Sequence, residues 1–218
     1  MQDSFDRAPL LSSLGEAGLA LGSKVHVRIF KREARLELWL ADGAAYRLFR
    51  RYPICTWSGD IGPKLREGDK QAPEGFYTIR LAQLNPNSRH HLAFNLGFPN
   101  EYDRQLGRTG SFLMVHGGCT SVGCYAMTDA GVDEIYAIVE AALRAGQDGV
   151  GVAIYPFELT ATALATEGDS QWLGFWRNLK TGYDAFEATR VPPKVGACEG
   201  VYRFGDDAVG CSAISGWV

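Results

Sequence analysis

Val25-His26-Val27-Arg28-Ile29-Phe30, Arg35-Leu36-Glu37-Leu38-Trp39-Leu40 and Ala45-Tyr46-Arg47-Leu48-Phe49-Arg50-Arg51-Tyr52 are three successive runs whose polarity alternates with period two. A strand points successive side chains to opposite faces, so such alternation marks half-buried strands. Asp42-Gly43 stands between the second and third runs, and its tolerance of positive φ suits a tight hairpin turn. The reading is an antiparallel three-stranded meander. His26 falls on the polar side of its strand, which predicts a surface position.

Working outward, residues 9–21 (Pro-Leu-Leu-Ser-Ser-Leu-Gly-Glu-Ala-Gly-Leu-Ala-Leu) predict a short amphipathic helix, weakened by its two glycines. Beyond the meander, 58–72 is polar and glycine-rich and reads as a long loop. Pro73-Glu74-Gly75 is a turn that launches a strand Phe76-Tyr77-Thr78-Ile79. Residues 85–111 read as a second long loop with one strand at 91–96; loops of this length in a compact domain are usually functional. Phe112-Leu113-Met114-Val115-His116 is an apolar run closed by Gly117-Gly118, hence a buried strand ending in a turn. A helix is expected over 132–145, with Ile135, Val139 and Leu143 on one stripe and Thr128 or Asp129 as cap. A strand over 149–155 and a helix over 172–189 follow. In that helix Trp172, Phe175, Trp176, Leu179, Tyr183 and Phe186 recur at spacings of three and four, a pattern that favours core packing over a ligand cage. Pro192-Pro193 ends it, leaving an irregular tail with a short strand near 200–204. The expected organisation is a helical segment at 1–23, an α+β catalytic domain at 24–190, mostly antiparallel β with flanking helices, and a tail at 191–218.

The chain has 218 residues with 22 Lys plus Arg against 25 Asp plus Glu, a net charge of −3. That balance lacks the basic surplus of a nucleic-acid protein, and 46% hydrophobic residues exclude disorder of the whole. No apolar run approaches the ~18 to 20 residues that span a bilayer. Met1 to Arg7 has neither the basic segment nor the apolar core of a signal peptide, so the chain reads either as cytoplasmic or as an exported protein without its leader. The five cysteines, Cys55, Cys119, Cys124, Cys198 and Cys211, are too few for a disulfide scaffold, and an odd number leaves at least one thiol unpaired.

The densest chemistry lies in His116-Gly117-Gly118-Cys119-Thr120-Ser121-Val122-Gly123-Cys124-Tyr125. A free cysteine is only ~3% thiolate at pH 7, so a nucleophilic one needs a partner for its proton. His116, on a stiff strand end, could be that partner. Gly123 before Cys124 would let a substrate carbonyl approach the backbone, and amides of the 121–124 turn could hold an oxyanion. Three structural alternatives stay open: a local Cys119–Cys124 disulfide, a zinc site of His116, Cys119 and Cys124 completed by Cys55, His90 or His91, and buried inert thiols. Under any of these the segment would be structural and the chain a binding module without catalysis. His90 and His91 otherwise read as solvated turn residues.

The motifs Ala72-Pro73-Glu74-Gly75-Phe76-Tyr77, Leu113-Met114-Val115-His116-Gly117 and Ser121-Val122-Gly123-Cys124 resemble the L,D-transpeptidase catalytic domain of the YkuD type. Phe94-Asn95-Leu96-Gly97-Phe98-Pro99-Asn100, Gly107-Arg108-Thr109-Gly110, Gly123-Cys124-Tyr125-Ala126-Met127-Thr128-Asp129 and Phe175-Trp176-Arg177-Asn178-Leu179-Lys180 are similar to its YafK-like branch. The resemblance implies an enzyme outside the cytoplasm, periplasmic or exported, acting on peptidoglycan stem peptides without metal or organic cofactor; for a module without catalysis it implies one that binds the cell wall. By position it makes Cys124 the nucleophile and His116 the base, with Ser121 and Gly123 shaping the turn. The thioester formed with a diaminopimelate-containing stem would pass to an amine or to water, and a peptidoglycan-linked lipoprotein is one partner the branch implies. Arg108, Tyr125 and Gly117 are candidates for the substrate side; a salt bridge to Asp103 or Glu101 competes for Arg108, and core packing for Tyr125. In an oxidising compartment Cys198 and Cys211 could close a small disulfide loop. The chain departs from the family pattern in its short spacer, with only Gly118, Cys119 and Thr120 between Gly117 and Ser121, and in Val122, where a second histidine is usual. The short spacer keeps Cys119 as a rival nucleophile.

Overall fold

The period-two runs form the strands they predict. The computed structural model describes residues 5–214 and Trp217. In chain order the elements are α1 (Ala8–Glu16), β1 (Val25–Phe30), β2 (Arg35–Asp42), β3 (Ala45–Pro53), β4 (Thr56–Trp57) and β5 (Gly75–Ile79). β6 (Leu84–Ser88), β7 (His91–Asn95), α2 (Glu101–Gln105), β8 (Met114–His116), β9 (Tyr125–Ala126) and α3 (Asp129–Arg144) follow. The chain continues through β10 (Val150–Tyr155), α4 (Ala161–Thr166), α5 (Leu173–Thr189), β11 (Val195–Cys198), β12 (Val201–Phe204) and β13 (Ser212–Ala213). The architecture is α+β with three sheets, ordered β3-β2-β1-β10-β5, β4-β9-β8-β7-β6 and β12-β11-β13. Pairing is antiparallel except for β1 with β10 and β8 with β9.

Two cores account for this layering. Val27, Ile29, Leu38, Tyr77 and Val152 on one face of the first sheet pack with α3 and with Phe94 and Val115 of the second sheet. The helix α3 starts at the Thr128 cap, whose hydroxyl accepts the Gly131 amide, and its buried stripe of Val132, Ile135, Val139 and Leu143 touches strands of both sheets. On the opposite face Phe30, Phe76, Tyr155 and Trp176 form a second core closed by α5 and the third sheet. The aromatic stripe of α5 is core, as its spacing predicts.

The second core corrects two sequence expectations. His26 is buried, not at the surface, because its face of β1 is covered by Phe186 of α5 and by Trp217, with ring centroids at 5.1 and 4.9 Å. Alternation marks two faces of a strand; it does not say that the polar one meets water. Within the stretch expected as an irregular tail, 191–218, residues 195–213 form a small sheet. β11, β12 and β13 are only two to four residues long, too short for a visible period, yet Tyr202 stacks on Tyr102 at 4.0 Å and both its backbone groups bond to the Asn178 side chain. The Cys198–Cys211 disulfide closes this unit. The 85–111 stretch likewise holds a hairpin, β6–β7, and the short helix α2 in addition to the one expected strand.

The loop 58–72 has no regular structure and is held from beneath. Glu74 and Lys31 have no exposed surface and pair at 3.0 Å. The Lys31 ammonium also donates to the Asp60 and Gly62 carbonyls, while Glu74 accepts the Gly62 amide and the Trp176 indole N–H.

Two predictions arise. Glu74→Ala leaves the Lys31 ammonium buried without its counter-charge and should cost about 3–5 kcal/mol of stability, read from urea unfolding. His26 is held neutral, its pKa lowered to about 3 by burial and then by the Arg28 charge. The unfolded chain takes up a proton near 6.5 that the folded one refuses, so stability falls as pH drops from about 6.5 toward 3, by up to ~1.4 kcal/mol per pH unit from this residue. His26→Phe should flatten the dependence of unfolding free energy on pH across that window by about this slope.

Candidate active site

Strand β8 ends at His116, and the chain then crosses residues 117–124 to reach β9 parallel to it. This crossing is short and carries little backbone pairing, so its shape comes from side chains. Asp129, in the first turn of α3, accepts the Gly118 amide at 2.8 Å; a Cβ on Gly117 would lie 2.6 Å from the same carboxylate, so only glycine fits there. The Ser121 hydroxyl donates to the Cys124 carbonyl at 2.7 Å and accepts the Cys124 amide at 2.9 Å and the Ser58 hydroxyl at 3.1 Å. Gly123 takes φ +94 just before the thiol. The Cys124 amide is thereby consumed, while the Val122 and Gly123 amides donate to nothing among the described residues.

Cys55 and Cys119 form a disulfide, and Cys124 is the free cysteine. This removes Cys119 as a rival nucleophile and overturns the local Cys119–Cys124 bridge. It also dismantles the zinc set, since two of the thiols offered for it are bonded to each other. The disulfide ties the 117–124 crossing to the β3–β4 connection, next to the Cys55 amide bond to the Ala126 carbonyl and the Cys119 amide bond to the Met127 carbonyl.

His116 and Cys124 line one cleft of about 480 Å³. The His116 Nδ1 lies 2.6 Å from the Gly117 carbonyl, an oxygen that can only accept, so Nδ1 carries the proton and Nε2 keeps the basic lone pair. Burial lowers the His116 pKa, with the Gly117 bond opposing and the His90 charge adding to it. Burial raises the Cys124 pKa, opposed by a hydrogen bond from the Met114 backbone and by the charge of Lys64. Both shifts favour a neutral thiol beside a neutral imidazole over an ion pair. The thiol donates to the Phe112 carbonyl at 3.6 Å.

Of the residues expected on the substrate side, Arg108 and Tyr125 are elsewhere. The Arg108 guanidinium is buried, bonded through Nη1 to Asp103 at 2.9 Å and laid over Tyr102 and Phe175, and it does not line the cleft. Tyr125 is in the core with its hydroxyl on the Pro73 carbonyl at 2.7 Å. Gly117 serves through its backbone: its carbonyl sets the His116 tautomer and its amide binds the His90 and Leu92 carbonyls.

The cleft adds residues that sequence reasoning passed over. Lys64 and Lys70 reach it from the 58–72 loop and His90 from the β6–β7 turn. Phe112 and Val122, 74% and 76% exposed, stand at its rim, Phe112 at φ +52. The positive φ of a bulky exposed residue has no sequence signature, and the histidine is placed by strand register, which only pairing reveals. A thiol titration checks the cysteine assignment: unfolded without reductant the chain should show one thiol, and after reduction all five. Two or more thiols before reduction would break it.

The L,D-transpeptidase catalytic domain profile matches residues 24–170. The Escherichia coli K12 protein YafK, which carries a provisional L,D-transpeptidase name, is 49% identical over 182 residues, 84% of this chain and 74% of its own. Among solved structures, a variant of the helical cell shape determining protein Pgp2 from Campylobacter jejuni superposes with a TM-score of 0.51 at 21% identity. That match covers 80% of this chain and 62% of the other, so the chain spans about three-fifths of that structure, and at this identity the likeness speaks to fold alone. With the profile covering most of the chain and a relative at nearly half identity, this chain belongs to the L,D-transpeptidase catalytic-domain (YkuD) family.

Proposed function

We propose that the chain is a peptidoglycan-modifying cysteine enzyme that acylates Cys124 with a diaminopimelate-containing stem peptide and passes the acyl group to an amine or to water. The observation that carries this reading is one free thiol sharing a cleft with a histidine whose Nε2 is its basic nitrogen. Two disulfides also suit a protein that works in an oxidising compartment, the periplasm or the exterior.

The neutral thiol and imidazole imply general-base attack in which charge develops only as the bond forms. Nε2 of His116 takes the Cys124 proton while the sulfur bonds to the stem-peptide carbonyl carbon. The oxyanion falls to the free amides of Val122 and Gly123, since Ser121 occupies the amide of Cys124. Collapse breaks the amide bond, and the departing amine takes the proton from His116, leaving a thioester. An incoming amine or water then gives its proton to Nε2 as it attacks, and the returned proton restores the thiol. The exposed Lys70 lines the cleft beside Glu67, while the Lys64 ammonium is already held by Asp69 and the Arg66 carbonyl; Lys70 is the cation available to meet a substrate carboxylate. A stem peptide still linked to a lipoprotein would meet the same thiol, with water as acceptor.

Cys124→Ala should lower turnover of purified sacculi by at least ~10³-fold and abolish covalent adduct formation with a carbapenem, read by intact-protein mass spectrometry. The acid limb of the wild-type rate profile should lie below the ordinary histidine value of 6.5, because burial depresses His116. Product masses with and without an added amine assign the acceptor. Retained activity in the alanine variant would reject the reading.

A further inference from the structure

The proposed chemistry leaves one group in the cleft without a role. His90 lies in the turn before β7, and its ring centroid is 4.6 Å from that of His116, with the planes 35° apart. Its backbone is pinned: the carbonyl accepts the Gly117 amide at 3.0 Å and the amide binds the Ser88 hydroxyl at 3.0 Å. The next residue, His91, takes φ +66 and bonds Asp133 of α3 at 2.7 Å, fixing the other side of the turn. The β7–β8 register pairs Ala93 with His116, so the turn is carried past the end of β8 and over the histidine.

We propose that His90 is a positioning residue for the general base His116: its ring braces the base against rotation, and its charge keeps the base unprotonated as the pH falls. This rests on the reading of His116 as the base. Two imidazoles with centroids 4.6 Å apart repel when both are protonated, so a charge on one disfavours a charge on the other. His90 is the exposed partner and His116 the buried one, and desolvation penalises the buried cation more. Burial and the neighbouring ring therefore both act against the cation at His116, which keeps the Nε2 lone pair the thiol requires. The other charged groups around the pair do not reverse this. Asp129 is engaged by the Gly118 amide, Asp133 by His91, and Lys64, Lys70 and Glu67 lie across the cleft with the Cys124 thiol. Arg89 precedes His90 on the chain and adds positive charge, which disfavours a second proton on the pair.

The test reads the ring directly, without substrate. Side-chain nitrogen NMR follows the His116 titration in the wild type, in His90→Phe, which keeps a flat ring without charge, and in His90→Gln, which keeps polarity without a ring. The His90 side chain is exposed, so both variants should fold. The His116 midpoint should rise by about half a pKa unit or more in each, and the acid limb of the rate profile should move up with it. His90→Phe should retain more of the maximal rate than His90→Gln, because it preserves the brace. His116 titrations that coincide in all three proteins overturn the proposal. A shifted midpoint in a protein that processes no sacculi would leave the pairing standing and reject the enzymatic reading instead.

Discussion

The Glu74 carboxylate is where the separate parts of the fold are joined. It has no exposed surface and takes three donors: the Lys31 ammonium just past β1, the Gly62 amide in the 58–72 loop and the indole of Trp176 on α5. One residue earlier, the Pro73 carbonyl accepts the hydroxyl of Tyr125, the neighbour of the free thiol of Cys124. The Pro73-Glu74 dipeptide thus fixes the loop that supplies Lys64 and Lys70 and the strand that follows Cys124. Burying an ion pair is costly in desolvation and contributes little net stability against an apolar replacement. What it adds here is placement, because an irregular 15-residue stretch, 58–72, has no ladder of its own to set its position.

Placement matters because His116 and Cys124 are both buried. Burial pushes the imidazole down and the thiol up, so the resting site stores no separated charge, unlike a thiolate–imidazolium pair. A neutral thiol is a weak nucleophile but also a poor target for oxidants and stray electrophiles. In the proposed reaction the barrier depends on how well a base and two free amides are aligned when a carbonyl arrives, and Asp129, Ser121 and the Cys55–Cys119 disulfide fix residues 117–124 in place.

The parts legible in the sequence are those written in local pattern. Period two gave the meander, the three-and-four spacing gave α3 and α5, and the strand–glycine–cysteine order placed His116 and Cys124 together. His26 was misread because alternation distinguishes faces without saying what covers them, and here α5 and Trp217 do. For Arg108 the sequence leaves a substrate carboxylate and a salt bridge to Asp103 or Glu101 both open, and Asp103, five residues away, holds it. The third sheet was missed because two- and four-residue strands carry no period. The Cys55–Cys119 bond spans 64 residues, and nothing in spacing alone could choose it over the other pairings.

The shortened crossing between His116 and Cys124 explains several of these features at once. With three residues between Gly117 and Ser121, the segment makes only the Ser121–Cys124 bonds within itself, and its other ties come from outside: α3 through Asp129, the β3–β4 connection through the disulfide, the 58–72 loop through Ser58. Position 122, where the family usually places a second histidine, holds a valine turned to solvent. A second imidazole is nonetheless present in the cleft, carried there by the β6–β7 turn and stacked on the first. A loop this tightly constrained at both ends has little room for another large side chain beside His116, whereas a hairpin paired to β8 can deliver one from the far side. The geometry of the site, with one buried base and one exposed imidazole against it, follows from that difference in where the second ring is mounted.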